Sequence, residues 1–223
     1  SVEEVIVTGS YLKGSAVDGA SPVEVISRDT IENLGATTIA DIIRNMAIDS
    51  GSENNADSFT SGSTQGSSSV NLRGLGLSST LVLFDGKRNT IAAQTANDGS
   101  VFVDTNSLPV NIIERVEVLK EGAASVYGSD AVAGVVNYIF RRDFTGFEVN
   151  ASQQKTDVGS QTDNRLSFLM GTEINDANVV VSLSSLNRSP LPGTAIPEYA
   201  QLGISTFGSS FLIYPPAALA DLT

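Results

Sequence analysis

Four carboxylates scattered over the loops are the residues whose type could do chemistry. Asp85, Asp98, Asp104 and Asp130 all fall in polar, turn-rich stretches between apolar runs. Two such groups flanking a substrate can serve as general acid and general base, which makes Asp85 with Asp104 the pair to weigh. No spacing supports that pairing, and the four do not follow the alternating-ligand pattern of a calcium loop. Composition closes the other routes. Among 223 residues there is no histidine and no cysteine. Without imidazole or thiol there is no Ser-His-Asp or Cys-His nucleophile and no Cys/His zinc site, and no disulfide can form. Gly74-Leu75-Gly76 opens like a dinucleotide-binding fingerprint, which needs a third glycine and a helix directly after it. Ser79 stands where that glycine belongs, and the apolar run Leu81–Phe84 follows. The expectation is a chain that is not an enzyme, with no metal and no cofactor.

Charge narrows the partners. The formal net charge is −12, and residues 1–60 hold ten acidic against three basic side chains. Nucleic acid requires a basic footprint, so it is not an expected partner. No run reaches the roughly 18 apolar residues of a membrane helix, and no basic leader precedes an apolar segment. Hydrophobic content of 41% is enough for a packed core.

The elements that would position any site are legible in part. Val2–Thr8 is short and β-branched, a strand at a terminus. Tyr11–Ser21 is a polar, Gly-containing linker, and Val23–Ile26 is a short strand. Asp29 with Glu32 fits a capping box for a helix that Gly35 stops. Thr38 with Asp41 fits the same spacing better, because Ile39, Ile42, Ile43 and Met46 then recur as one apolar stripe. Ser50–Ser69 is almost wholly polar and reads as a long loop that cannot bury itself. Val70–Leu72 and Leu81–Phe84 read as strands, with Asp85-Gly86 as a tight turn. Lys87–Thr105 is a second polar loop, and Pro109 opens a short helix. Arg115–Lys120 is a strand buried on both faces, Gly122–Tyr127 a short helix and Val135–Phe140 another strand. Arg73, Arg115 and Glu117 lie on or beside these strands. They are either an internal ion-pair network or a face turned to a partner.

The pattern changes after Phe144. Phe147 and Val149, then Leu166, Phe168 and Met170, then Val179, Val181 and Leu183 alternate with mostly polar or small residues. These are three period-2 segments of membrane-strand length. Three strands cannot close a barrel, which needs at least about eight.

Several motifs arrive in a fixed order: Glu3-Glu4-Val5-Ile6-Val7-Thr8-Gly9, Pro22–Ile26, the Thr38–Met46 helix, Leu72-Arg73-Gly74, Leu81–Arg88, Ile113–Lys120 and Ser125–Asn137. Together they resemble the plug domain of TonB-dependent outer-membrane transporters. The resemblance implies an α+β plug with a small mixed sheet and short helices, followed by antiparallel strands of a truncated barrel of about 22 strands. It implies three parts: a TonB-box-like segment and linker over 1–21, the plug over 22–144, and first barrel strands over 145–223. It implies a bacterial outer-membrane location, with the plug inside the barrel and the N-terminus periplasmic.

The resemblance also implies roles. Glu4, Val5, Ile6, Val7 and Thr8 would pair with the TonB C-terminal domain. A β-branched segment behind a flexible linker suits strand addition to another protein's sheet. TonB would pull the plug to open the pore. Asn54, Asn55, Phe59, Gln65, Arg88, Gln94, Asn97 and Asp98 would sit on outward loops facing a large small-molecule or oligosaccharide ligand. Arg73, Arg115 and Glu117 would meet the wall of the chain's own barrel, which would carry the membrane contact. From another class, a secreted or surface β-rich module binding polysaccharide or protein would also account for the polar loops and the acidity.

Overall fold

The computed structural model describes residues 23–49, 66–96, 98–120, 124–157, 161–175 and 177–190. The chain divides into two compact units, the first holding residues 1–148 and 168–183, the second 149–167 and 184–223.

The first unit is built on a five-stranded sheet. Its strands are β1 (Val23–Ser27), β2 (Thr80–Phe84), β3 (Lys87–Arg88), β4 (Ile113–Leu119) and β5 (Gly134–Phe140), in the order β1-β4-β5-β2-β3. β2 and β5 run parallel, while the other pairs are antiparallel, so the sheet is mixed. Valine, isoleucine and leucine dominate β2, β4 and β5, as strands buried on both faces require. One face packs Val82, Val116, Val118, Val136 and Tyr138 against Ile31, Ile39, Ile42 and Ile43. The other gathers Leu81, Leu83, Leu119 and Val135 with Ala131.

Two short helices cover the first face. α2 (Ile39–Arg44) carries the expected capping box: Thr38 Oγ1 accepts from Asp41 N at 3.1 Å, and Asp41 Oδ2 accepts from Thr38 N at 2.8 Å. Its stripe of Ile39, Ile42, Ile43 and Met46 is fully buried. α1 (Arg28–Asn33) is capped by Ser27 rather than by Asp29, which lies in its first turn. The hydroxyl is one residue ahead of the helix and can reach Thr30 N, which an aspartate inside the turn cannot. α3 (Ala124–Tyr127) is a single turn.

Two loop expectations are corrected. Val70–Leu72 is not a regular strand. It makes one isolated bridge, Leu72 to Asp49, because its amides are taken by side chains: Asn71 N by Asp49 Oδ1 at 2.9 Å and Leu72 N by Thr80 Oγ1 at 3.1 Å. Ser67, Ser68 and Ser69 are buried despite their polarity. Ser68 N donates to Asp104 Oδ1 at 2.9 Å, and Ser68 O accepts from Thr105 N at 2.9 Å. Partners supplied from 36 and 37 residues downstream satisfy what the loop could not satisfy locally. Asp85-Gly86 turns as expected, both residues at positive φ (52° and 75°), the conformation a two-residue hairpin needs.

After residue 145 come β6 (Gly146–Lys155), β7 (Thr162–Ile174) and β8 (Ala177–Arg188), a separate three-stranded sheet in sequential order. Short connections make neighbouring strands antiparallel. Phe147, Val149, Leu166, Met170, Val179, Val181 and Leu183 are exposed along these strands. Within the second unit, Arg188 pairs with Asp163 at 2.6 Å. Among the described residues this sheet has three strands and is open.

Candidate functional site

Each of the four loop carboxylates has a local structural task. Asp85 Oδ1 accepts from Phe140 N and Oδ2 from Arg142, each at 2.9 Å. Asp104 Oδ1 accepts from Ser68 N and Asn106 N at 2.9 and 3.0 Å. Asp98 takes the backbone N–H and the hydroxyl of Ser100, both at 2.8 Å, and these bonds hold its carboxyl below the ordinary carboxylate range. Asp130 is clamped by Arg88, whose hydrogen bonds likewise hold its carboxyl low.

The second polar loop is organised rather than loose. Ala92 N donates to Phe102 O at 2.8 Å and Ala96 N to Ser100 O at 2.9 Å. Beneath it Leu77, Ala96 and Phe102 form a small apolar cluster. Asp98 stands exposed at its tip and Gln94 is half-buried. Arg88 lies on β3 at the root of this loop, engaged with Asp130 and the carbonyl of Tyr127. Asn97 falls outside the described residues. So do Asn54, Asn55, Phe59 and Gln65 of the first loop, and Glu4, Val5, Ile6, Val7 and Thr8.

The strand charges have partners inside the first unit. Arg73, at a φ of 58°, donates to Val132 O and Ala133 O at 2.9 and 3.0 Å. This ties the Gly74–Gly76 turn to the start of β5. Arg115 Nε bonds Glu117 Oε1 at 2.9 Å, and Glu117 is wholly buried opposite Asn137 of β5.

A second set of polar residues escaped the sequence reading. It joins the five-stranded sheet to those parts of β6, β7 and β8 that belong to the same unit. Arg141 Nη1 lies 2.8 Å from Glu148 on β6, and Arg28 Nη2 lies 3.8 Å from the same carboxylate. Asn111, in the 3₁₀ turn Val110–Ile112, donates to Phe168 O of β7 at 3.1 Å and accepts from Ser182 Oγ of β8 at 2.9 Å. Asn178 donates to Asp143 at 2.8 Å. Phe144 O sits directly over Gly171 of β7, where a Cβ would have no room. Arg141, Arg142, Asp85 and Asn178 also line a cleft of about 410 Å³. These residues are far apart in sequence and follow no period. The available signal was Glu148, a charge on the face of β6 opposite Phe147 and Val149.

A small mixed sheet with short helices defines the class, a plug-like α+β domain, and exposed-faced antiparallel strands continue it. The family model described as TonB-dependent Receptor Plug Domain matches residues 15–135, and the chain belongs to that family. Among solved structures, it resembles the ferric enterobactin receptor PfeA of Pseudomonas aeruginosa, a mutant in complex with enterobactin. Identity there is 25% over 76% of this chain and 25% of that one, with a TM-score of 0.57. The siderophore receptor PirA of Acinetobacter baumannii is 26% identical over 74% of this chain and 24% of its own, with a TM-score of 0.53. The unliganded ferric citrate transporter FecA shares the fold at 22% identity over 77% of this chain and 26% of its own, with a TM-score of 0.60. The chain thus spans about a quarter of the receptors it matches. The matched family is one of receptors rather than of enzymes.

Proposed function

We propose that this chain is the gate of an outer-membrane transporter for a large iron chelate. The observation that carries this reading is the plug fold, running within one unit into strands with exposed apolar rows. The plug over 22–144 closes the pore of a barrel begun by 145–223, and its N-terminal segment faces the periplasm. Two loops, one around residues 50–65 and the braced one over 89–104, form the outward surface that contributes to ligand binding. Asn54, Asn55, Phe59, Gln65, Gln94, Asn97 and Asp98 are its contact candidates. Arg88 supports that surface by fixing the root of the second loop on Asp130. A chelate rather than an oligosaccharide is favoured because the structures that match at 25–26% identity are siderophore receptors. Arg73, Arg115 and Glu117 transmit between plug and wall: Glu117 anchors Arg115, and Arg73 anchors the turn before β2.

Opening depends on TonB gripping Glu4–Thr8 by strand addition. In the full-length receptor, the TonB C-terminal domain is expected to bind and to lose binding when residues 2–9 are deleted. Ferric-chelate uptake should fall to background in the same deletion. Unchanged binding and uptake in that deletion would sink the gating reading.

A further inference from the structure

We propose that Asp104 is a positioning residue that clasps the ends of the two outward loops together, so that order gained by one loop is passed to the other; this rests on the ligand-facing role of those loops given above. Gly66–Ser69 leads out of the first loop, and Asp104 closes the second. Both stretches are polar, yet Ser67, Ser68 and Ser69 are buried and Thr105 is wholly so. Buried backbone needs partners. Three consecutive residues, Asp104 to Asn106, supply them across 36 to 40 positions of sequence.

Asp104 caps the 3₁₀ turn Thr105–Ser107. One of its oxygens, Oδ1, accepts from Asn106 N at 3.0 Å and from Ser68 N at 2.9 Å. The two donors belong to different loop ends, so a single atom joins those ends. Thr105 adds its N–H and its hydroxyl to Ser68 O at 2.9 and 3.1 Å, and Asn106 Nδ2 donates to Gly66 O at 2.8 Å. Hydrogen bonds to a carboxylate are the stronger kind, and a shielded donor that loses its acceptor carries a desolvation cost. Removing the Asp104 side chain strips that acceptor from both ends at once.

The clasp stands between two apolar clusters. Val70, directly after Ser69, belongs to the main core, and Val103, directly before Asp104, packs against it. The second loop has its own small cluster of Leu77, Ala96 and Phe102. Its other root is the exposed Arg88–Asp130 pair, of a kind that holds weakly. The shielded fastening is at Asp104, and what it grips is the exit of the first loop. A ligand that orders the second loop then lowers the cost of ordering the first. That is coupling through shared mobility, with no change of shape required.

The test is amide hydrogen exchange on the full-length receptor without ligand, run as a double-mutant cycle. Ala96→Glu unseats the small cluster of the second loop. In that variant residues 66–69 are expected to exchange about tenfold faster, and adding Ala96→Glu to Asp104→Ala should change them no further. Asp104→Asn keeps the Oδ1 acceptor and should behave as the parent. The proposal is overturned by unchanged exchange at 66–69 in Ala96→Glu, by an equal effect of Ala96→Glu with and without Asp104, or by Asp104→Asn matching Asp104→Ala. If Asp104→Ala does not fold, Asn106→Ala decides. Losing the bond to Gly66 O should speed exchange at 66–69 and at 98–104 together, and a change confined to one segment overturns the clasp. In uptake of a ferric tricatecholate, Asp104→Ala should raise the half-saturating concentration and keep the maximal rate. A parent receptor that takes up no ferric chelate is a failure of the ligand-facing role, and the exchange cycle still decides the clasp.

Discussion

β4 and β8 both set valines and a leucine along a strand, and those side chains end in opposite surroundings. Val116, Val118 and Leu119 of β4 are at most 3% exposed, while Val179, Val181 and Leu183 of β8 are 42 to 63% exposed. In β4 the burial is completed by this chain: helices on one face, the Leu81–Leu83 cluster on the other, β1 and β5 at its edges. Among the described residues, β8 has one hydrogen-bonded neighbour, β7. The same alternation of valine and a small or polar residue thus carries stability in one sheet and only a surface in the other. In a complete receptor, that surface is proposed to meet lipid, with further strands added at the open edge.

Two glycines give the sharpest way to break this comparison. A Cβ on Gly134 would meet Leu119 O at 2.5 Å and Leu72 Cδ1 at 2.8 Å, at a φ of +135°. Both the backbone clash and the strained φ fall inside the core sheet. Gly134→Ala is expected to destabilise by about 3–5 kcal/mol, read as a lowered urea midpoint. Gly171→Ala meets a harder clash with Phe144 O, but outside the five-stranded sheet. Its expected outcome is faster amide exchange around Phe144, with the β2, β4 and β5 amides unchanged. Loss of protection throughout the sheet would show that the two regions are not separable in this way.

Ile43 and Leu183 give the next contrast. Ile43 is fully buried in the main core, so Ile43→Ala should cost about 2–5 kcal/mol. Leu183 is 63% exposed, and Leu183→Ala should stay within about 0.5 kcal/mol in this chain. In the full receptor in lipid, the same Leu183 change should become measurably destabilising. If it stays neutral there, that row does not face the bilayer.

The α2 cap is a smaller and local effect. Thr38→Ala should cost about 1 kcal/mol. Burial pushes the Asp41 carboxyl up, but the hydrogen bonds from Thr38 and Thr37 outweigh it and hold the carboxyl below its ordinary value of 3.8. With the folded value lowered, the unfolded chain binds more protons across the gap, so this contribution rises with pH. It is complete above about pH 4 and lost as pH falls through the lowered folded value. Urea midpoints against pH for the parent and Asp41→Asn should converge at low pH and be parallel near neutrality. Curves parallel throughout would remove Asp41 from the acid response.

What was legible in the sequence follows the range of the forces involved. The Thr38–Asp41 box, the isoleucine stripe and the Asp85-Gly86 turn are set by neighbours within about one helical turn, and each formed as read. The three alternating strands were legible because a period of two repeats long enough to count. The parallel pairing of β2 with β5 was not, since 49 residues and two other strands, β3 and β4, lie between Phe84 and Gly134. Val70–Leu72 looked like a strand because apolar composition is silent on where the amides bond, and here they bond to Asp49 and Thr80 side chains. The Arg28, Asn111, Arg141 and Glu148 joint had no periodic trace at all. Arg28, near the start of the plug, and Glu148, on the strand that follows it, are brought together by the fold.

Tyr138 tests the completeness of the β4–β5 core with the smallest expected change, and with the opposite sign. Its ring is fully buried and stands edge-on to Phe84, centroids 5.9 Å apart at 75°. Its hydroxyl is buried without a hydrogen-bond partner among the described residues. Burial, reinforced by the Asp49 carboxylate, pushes its ionisation far above the ordinary phenol range, so the hydroxyl is neutral near pH 7. A neutral, unpaired hydroxyl contributes packing volume and a desolvation cost, and no bond is lost when it goes. Tyr138→Phe should therefore lie between neutral and about 1 kcal/mol more stable. A loss of 1 kcal/mol or more in urea titrations would mean that the hydroxyl is satisfied in solution, and would identify an ordered water or an Asp49 contact as part of this core.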